Sequence, residues 1–263
     1  MELAVICQKA LTVVHTVAQF IEQSVGAVTE QAIEEKSLNS LVSYVDRTAE
    51  ERLVDGLGAL LPAATFLTEE ATVTQGEGSL RWIIDPLDGT TNFLHQLPVF
   101  SISVALERNG ELVLGIVHEI NQQESFYAWK NGGAFLNGSP IQVSQRRELS
   151  HTLLATGFPY YDYDRMQGYL NVLAHFMQHT RGLRRMGSAA VDLAYVACGR
   201  FDGFFEYSLN AWDVAGGIVL VQEAGGQLSD FQGGSDYLFG QSIIASNTAI
   251  HASMLAPIQK HFL

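Results

Sequence analysis

Positive charge is scarce in this chain: 15 Lys and Arg face 28 Asp and Glu, a net charge of −13. Phosphate backbones are bound by an excess of Lys and Arg, so the balance argues against nucleic acid as a partner. Cysteine is scarcer still. Cys7 and Cys198 lie far apart with no neighbour at metal-ligand spacing, which excludes a disulfide framework and suits a reducing, cytoplasmic setting. No run of about 18 apolar residues occurs, so no membrane-crossing segment is expected. The N-terminal stretch MELAVICQKALTVVHTVAQF lacks a basic start and a cleavage-like site. It reads as an amphipathic helix rather than a secretory leader. Prolines are few, 6 against 24 glycines, which points to unbroken elements joined by tight turns.

What is present fits an ordinary globular chain: 263 residues, 47% hydrophobic and 16% charged. Helical periodicity runs from Glu2 to about Gly26. Leu41–Val45 reads as a strand, with Asp46 as N-cap of a helix reaching about Leu60. ATFLTEE and SLRWIID read as strands, the second ended by Pro86, which has no ladder donor. Asn109-Gly110, Asn131-Gly132 and Asn137-Gly138 mark turns between β-runs. Residues 1–145 thus form an α+β half with a mostly antiparallel sheet. From 146 to 263 strands alternate with helices, an α/β texture, and the two halves are expected to share one extended interface. The one basic cluster, Arg181 to Met186, reads as a solvated or subunit-contact patch.

The stretch that demands explanation is RWIIDPLDGTTNF, Arg81 to Phe93. A buried-strand pattern ends in two carboxylates, Asp85 and Asp88, and continues into Gly89-Thr90-Thr91-Asn92. Gly89 permits a sharp turn, and the residues after it resemble a helix start, where free N–H groups favour an anion. Acids beside an anion site make sense if cations stand between them. Glu69 at the end of TFLTEE and Asp213 in AWDVAGG supply two more acids. Plainer readings exist for each: Asp88 and Asp213 as caps, Asp85 as a turn residue, Glu69 as a surface acid, Asp46 and Thr90 as capping groups. If the four acids meet, two carboxylates about 5 Å apart repel by about 3 kcal/mol at an effective dielectric near 20. Hard oxygen donors without a His or Cys cluster point to Mg²⁺ or Mn²⁺. His95, the only histidine near this stretch, reads as a packing or surface residue.

DPLDGTTNF, the upstream FLTEEA and the downstream WDVAGGIVLVQEAGG resemble the signature blocks of the inositol monophosphatase family of lithium-sensitive, Mg²⁺-dependent phosphatases. RRMGSAAVDLAYVACGRFDGFFE extends the likeness over nearly the whole chain. The resemblance implies a layered αβαβα fold, a homodimer, and two to three Mg²⁺ ions. It implies Glu69, Asp85 and the carbonyl of Leu87 as ligands of one ion and Asp85, Asp88 and Asp213 of another. It further implies Glu69, Thr90 and Asp46 as catalytic residues. Leu87, Asp88, Gly89, Thr90, Gly187, Ser188, Ala189, Glu206 and Asp213 are the implied substrate contacts. Lys36 matches a lysine lying near the metals. The chain departs from the family at Ser40-Leu41-Val42-Ser43, where Asp-Leu-Val-Thr is usual, and at Asn210, where some relatives carry histidine. The expected reaction is hydrolysis of inositol monophosphate by metal-activated water. Alternative substrates are 3′-phosphoadenosine 5′-phosphate, fructose 1,6-bisphosphate and histidinol phosphate. A non-catalytic sugar-phosphate binding protein is the alternative from another class.

Overall fold

The computed structural model describes residues 2–29, 31, 34–37, 40–159 and 163–263, the side chains of 35–37, 40 and 41 excepted. The Lys36 side chain and the Ser40 and Leu41 side chains fall outside this set. Helix α1, Leu3–Ser24, buries Ile6, Ala10, Val14, Val17 and Ile21 at helical spacing. By length and composition α1 is apolar enough to cross a membrane, a property the interrupted apolar runs of the sequence hid. Its apolar side is committed to the core, where it packs with Val45, Leu53 and Leu57 of α2, Tyr44–Leu60.

The expected strand over Leu41–Val45 is corrected. Strand β1, Glu34–Ser37, pairs with β2, Ser40–Val42, and the helix begins at Tyr44. Ser43 is the N-cap, and Asp46 is the third helical residue rather than the cap. The apolar and aromatic residues Val42, Tyr44 and Val45 look strand-like, but Ser43-x-x-Asp46 closes a reciprocal capping box: the Asp46 carboxylate accepts from the Ser43 N–H at 2.8 Å.

A seven-stranded sheet follows in the order β3-β4-β5-β6-β7-β8-β9. Its strands are Thr65–Thr68, Leu80–Asp88, Ser101–Arg108, Glu111–Glu119, Glu124–Trp129, Gly133–Leu136 and Ser139–Ile141. All neighbours are antiparallel except β3 and β4. Asn109 and Gly110 both have positive φ, 53° and 79°, the turn that joins β5 to β6 as the sequence predicts. Pro86 does not end β4. The strand runs on to Asp88 with its register interrupted between Asp85 and Asp88, so the missing proline donor is accommodated by an irregularity instead of a stop.

The second sheet has five strands in the order β11-β10-β12-β14-β13: Leu153–Thr156 is β10, Gly182–Arg184 β11, Gly203–Tyr207 β12, Gly226–Ser229 β13 and Ser242–Asn247 β14. Helices α5, Ala189–Ala197, and α6, Ala211–Glu223, lie between the sheets, while α4, Met166–His179, and α7, His251–Phe262, pack together on the outer face. With α1 and α2 on the far side of the first sheet, the layers alternate α, β, α, β, α as expected. Helix α6 lies unusually close to β6. A Cβ on Gly115 would strike the Gly216 carbonyl, and one on Gly216 would stand 2.9 Å from the Ile116 carbonyl. That contact brings the first turn of α6, with Asp213, down onto the strand end that carries Asp85.

Candidate active site

Three elements deliver four acids to one cleft. Asp85 and Asp88 come from the irregular end of β4, Glu69 from the residue after β3, and Asp213 from the first turn of α6. Glu69 is tied to β4 by its N–H, which donates to the Ile84 carbonyl at 3.3 Å. The acids sense one another. The Asp85 carboxyl is pushed well above the usual range, first by burial and then by Glu69, Asp88 and Asp213. Asp213 is raised by burial, then by Glu69 and Asp88. Asp88 is pushed up to about 6, with burial the largest cause and donors from Ser188 and the start of α5 opposing it. The structure therefore brings together the acids whose meeting the sequence left open.

Each aspartate has one oxygen fixed by N–H donors. Asp85 Oδ1 accepts from the Leu87 N–H at 3.0 Å and Asp213 Oδ2 from the Asn210 N–H at 2.7 Å. Asp88 Oδ2 accepts from Ser188 Oγ at 2.6 Å and the Ala190 N–H at 2.8 Å. At Asp213 the Asn210 side chain adds a second donor. Among the described residues no three His, Cys, Asp or Glu side chains stand in metal-holding geometry as they are. Ionised acids in one cleft repel, and a cation among them would offset that repulsion. All-oxygen donors at positions already oriented by N–H groups fit a hard divalent ion.

Beside the acids, Gly89 adopts a left-handed conformation, φ 97°, with a Cβ direction blocked by the Val99 and Gly187 carbonyls at 3.1 and 3.2 Å. It starts the short helix α3, Thr90–Leu94. Thr90 Oγ1 lies 2.9 Å from Asp46 Oδ1 and 3.0 Å from the Leu87 carbonyl, so its single proton has two possible acceptors. Asp46, nearly fully buried, has its carboxyl raised by burial against the lowering effect of Ser43 and Thr90. His95 is the exposed C-cap residue of α3.

A pocket opens from Asp88 and Asp213 toward Gly187, Ala189, Asp192 and Glu206. Ser188 also lines it, but its hydroxyl is committed to Asp88 and to the Val191 N–H. Glu206, at the end of β12, is raised by burial, with Arg185 opposing and Asp213 and Asp88 adding. Two features here escape the sequence reading. The basic cluster is not merely a solvated patch: Gly182–Arg184 is strand β11, and Arg185 lines the pocket. Asp192, which looks like an ordinary helix residue in AVDLAYV, is buried on the pocket wall with Oδ1 lacking a hydrogen-bond partner. Its position one turn beyond Ser188 was the available signal.

The profile of the inositol monophosphatase family matches residues 2–262. An inositol-1-monophosphatase of Mesorhizobium japonicum is 41% identical over 241 residues, 91% of each chain. The Nus factor SuhB of Escherichia coli K12 is 42% identical over 231 residues, 87% of this chain and 86% of the relative. The solved extragenic suppressor protein suhB of Bartonella henselae superposes with a TM-score of 0.90 at 38% identity, covering 95% of this chain and 96% of the other. The chain belongs to the inositol monophosphatase family, a family of phosphatases.

Proposed function

We propose that the chain hydrolyses inositol monophosphate to inositol and phosphate, with two to three Mg²⁺ ions held by Glu69, Asp85, the Leu87 carbonyl, Asp88 and Asp213. Mn²⁺ is the expected substitute. The observation that carries this reading is the convergence of Glu69, Asp85, Asp88 and Asp213 from β3, β4 and α6, close enough that neighbouring acids raise the carboxyls of all three aspartates. Divalent ions there would make a water more acidic and neutralise charge on the departing oxygen.

The protein's own groups have separable tasks. Glu69 orients the attacking water and takes up its proton. Thr90 accepts from the same water when its own proton is given to Asp46, so Asp46 sets the direction of the Thr90 hydroxyl. N–H groups at Gly89 and Thr90 hold phosphate oxygens, since the first donors of a helix have no intrahelical partner. On the pocket side, Glu206 receives ring hydroxyls, with Gly187, Ser188 and Ala189 forming the wall, and Asp213 sits by the ester oxygen. An acceptor-rich pocket suits a polyhydroxylated ring better than an adenine, which supports inositol phosphate over 3′-phosphoadenosine 5′-phosphate. A non-catalytic sugar-phosphate binder on this fold is disfavoured because no acid of the expected set is missing. Homodimer formation and inhibition by Li⁺ belong to the same proposal.

The test is phosphate release from inositol 1-phosphate, 3′-phosphoadenosine 5′-phosphate, fructose 1,6-bisphosphate and histidinol phosphate, with and without Mg²⁺. Inositol 1-phosphate is expected to dominate and to require the metal. Dominant turnover of another substrate overturns the choice, and binding without hydrolysis at saturating Mg²⁺ overturns the reaction.

A further inference from the structure

Glu50 is fully buried on α2, yet it faces donors rather than a cation: Oε1 accepts from Thr68 Oγ1 at 2.9 Å and from the Thr72 N–H and Oγ1, both at 2.7 Å. Oε2 accepts from the Glu70 N–H at 2.7 Å. These anchors lie on both sides of Glu69. The segment leaves the sheet through Ala71, whose positive φ of 52° is uncommon for a residue with a Cβ. A single carboxylate collects the N–H groups that this sharp exit turns inward. Gln75 adds a further clamp, its Oε1 accepting from the Thr68 N–H at 2.8 Å.

Four residues before Glu50, and so on the same face of α2, Asp46 holds Thr90. We propose that Glu50 is a positioning residue for the reaction: one face of α2 brackets the site, Asp46 fixing Thr90 and Glu50 fixing the backbone around Glu69, so that this helix sets the spacing of the two groups that handle the attacking water. The inference rests on the reading of Glu69 and Thr90 as that pair. A glutamine at 50 keeps the shape but has one acceptor oxygen. Its amide nitrogen must then oppose a donor, at Glu70 or at Thr68 and Thr72.

The experiment compares Glu50→Gln, Glu69→Gln and the double variant in the Mg²⁺-loaded protein, with amide hydrogen exchange measured on the metal-free fold. Glu50→Gln is expected to lower kcat by about 10- to 100-fold with KM nearly unchanged, and to speed exchange at the Glu70 and Thr72 amides. The double variant should be no slower than Glu69→Gln alone, within about twofold, because both changes disable the same group. Losses that multiply, or wild-type kcat in Glu50→Gln, overturn the inference while a silenced Glu69→Gln leaves the reading of Glu69 standing. Wild-type turnover in Glu69→Gln instead removes that reading, and the inference with it. Should Glu50→Gln not fold, Thr68→Val removes one donor and carries the same cycle, with a loss of about tenfold expected and wild-type kcat contradicting it.

Discussion

Two buried aspartates in different halves of the molecule have opposite surroundings. Asp202, beside β12, is 1% exposed, and every neighbour named around its carboxylate is a donor: Ser144 Oγ at 2.5 Å, Arg146 Nη1 at 3.0 Å and the Leu153 N–H at 2.8 Å. It ties the 144–146 segment to the start of β10. Asp85 is 2% exposed, has one N–H donor at Leu87, and otherwise faces three acids. Burial is the same; the company differs. A carboxylate surrounded by donors holds a fold together, whereas a carboxylate surrounded by carboxylates is costly until a cation arrives. Glu50 belongs with Asp202 by its donors, and only its place next to Glu69 gives it a part in the chemistry.

Substitutions at the two aspartates should therefore separate activity from stability. Asp85→Asn removes the acid shared by two proposed metal sites. Steady-state assays are expected to show turnover down by about 10³-fold, equivalent to several kcal/mol of lost charge stabilisation, with the thermal midpoint of the metal-free protein unchanged or raised. Wild-type rates would break the contrast. A smaller effect is expected on the pocket side. Glu206→Gln should cost about 10-fold in kcat/KM for inositol 1-phosphate and leave a simple aryl phosphate nearly untouched; equal losses on both would remove Glu206 from ring recognition. For Asp202→Asn, denaturant unfolding should show a loss of about 1–3 kcal/mol, moderated because Arg146 is 44% exposed. Its specific activity per folded molecule should stay near wild type.

The smallest effect is in the pH dependence. The folded carboxyls of Asp85, Asp88 and Asp213 lie above their unfolded values. Their contribution to the metal-free fold is therefore present at low pH and lost as pH rises, beginning through about 6 at Asp88. His118 works in the opposite direction: burial, then His15, lowers its ring to about 4, so its contribution is lost as pH falls below its unfolded value. The histidine effect cancels when the same pH is compared with and without metal. Mg²⁺ should raise the thermal midpoint by several degrees at pH 8 and by less at pH 5.5. An equal shift at both would mean that these acids do not hold the ion.

Much of this was legible in advance, for physical reasons that differ from residue to residue. The hairpin at Asn109-Gly110 is local chemistry, since both residues tolerate positive φ. The acids at 85 and 88 stand out because a buried-strand pattern rarely ends in two carboxylates. The start of α2 is hard to see in the sequence because Val42, Tyr44 and Val45 carry strand-like side chains, while the capping box that decides the boundary depends on Ser43 and Asp46 acting together. Pro86 suggested a stop where the chain makes an irregularity. Glu50 looks like ordinary helix charge beside Glu51. Its role depends on a loop some twenty residues away in sequence, and its only local sign is the four-residue spacing from Asp46. Asp192 and Arg185 were hidden in the same way, since the pocket they line is assembled from β12, α5 and the end of β4.

The most direct measurement is anomalous diffraction from crystals of the protein grown with Mn²⁺. The account predicts peaks among Glu69, Asp85, Asp88 and Asp213, with the carboxylates drawn in around them and the Leu87 carbonyl directed at one ion. Peaks elsewhere on the molecule, or these acids paired with one another through shared protons at neutral pH and saturating Mn²⁺, would contradict it.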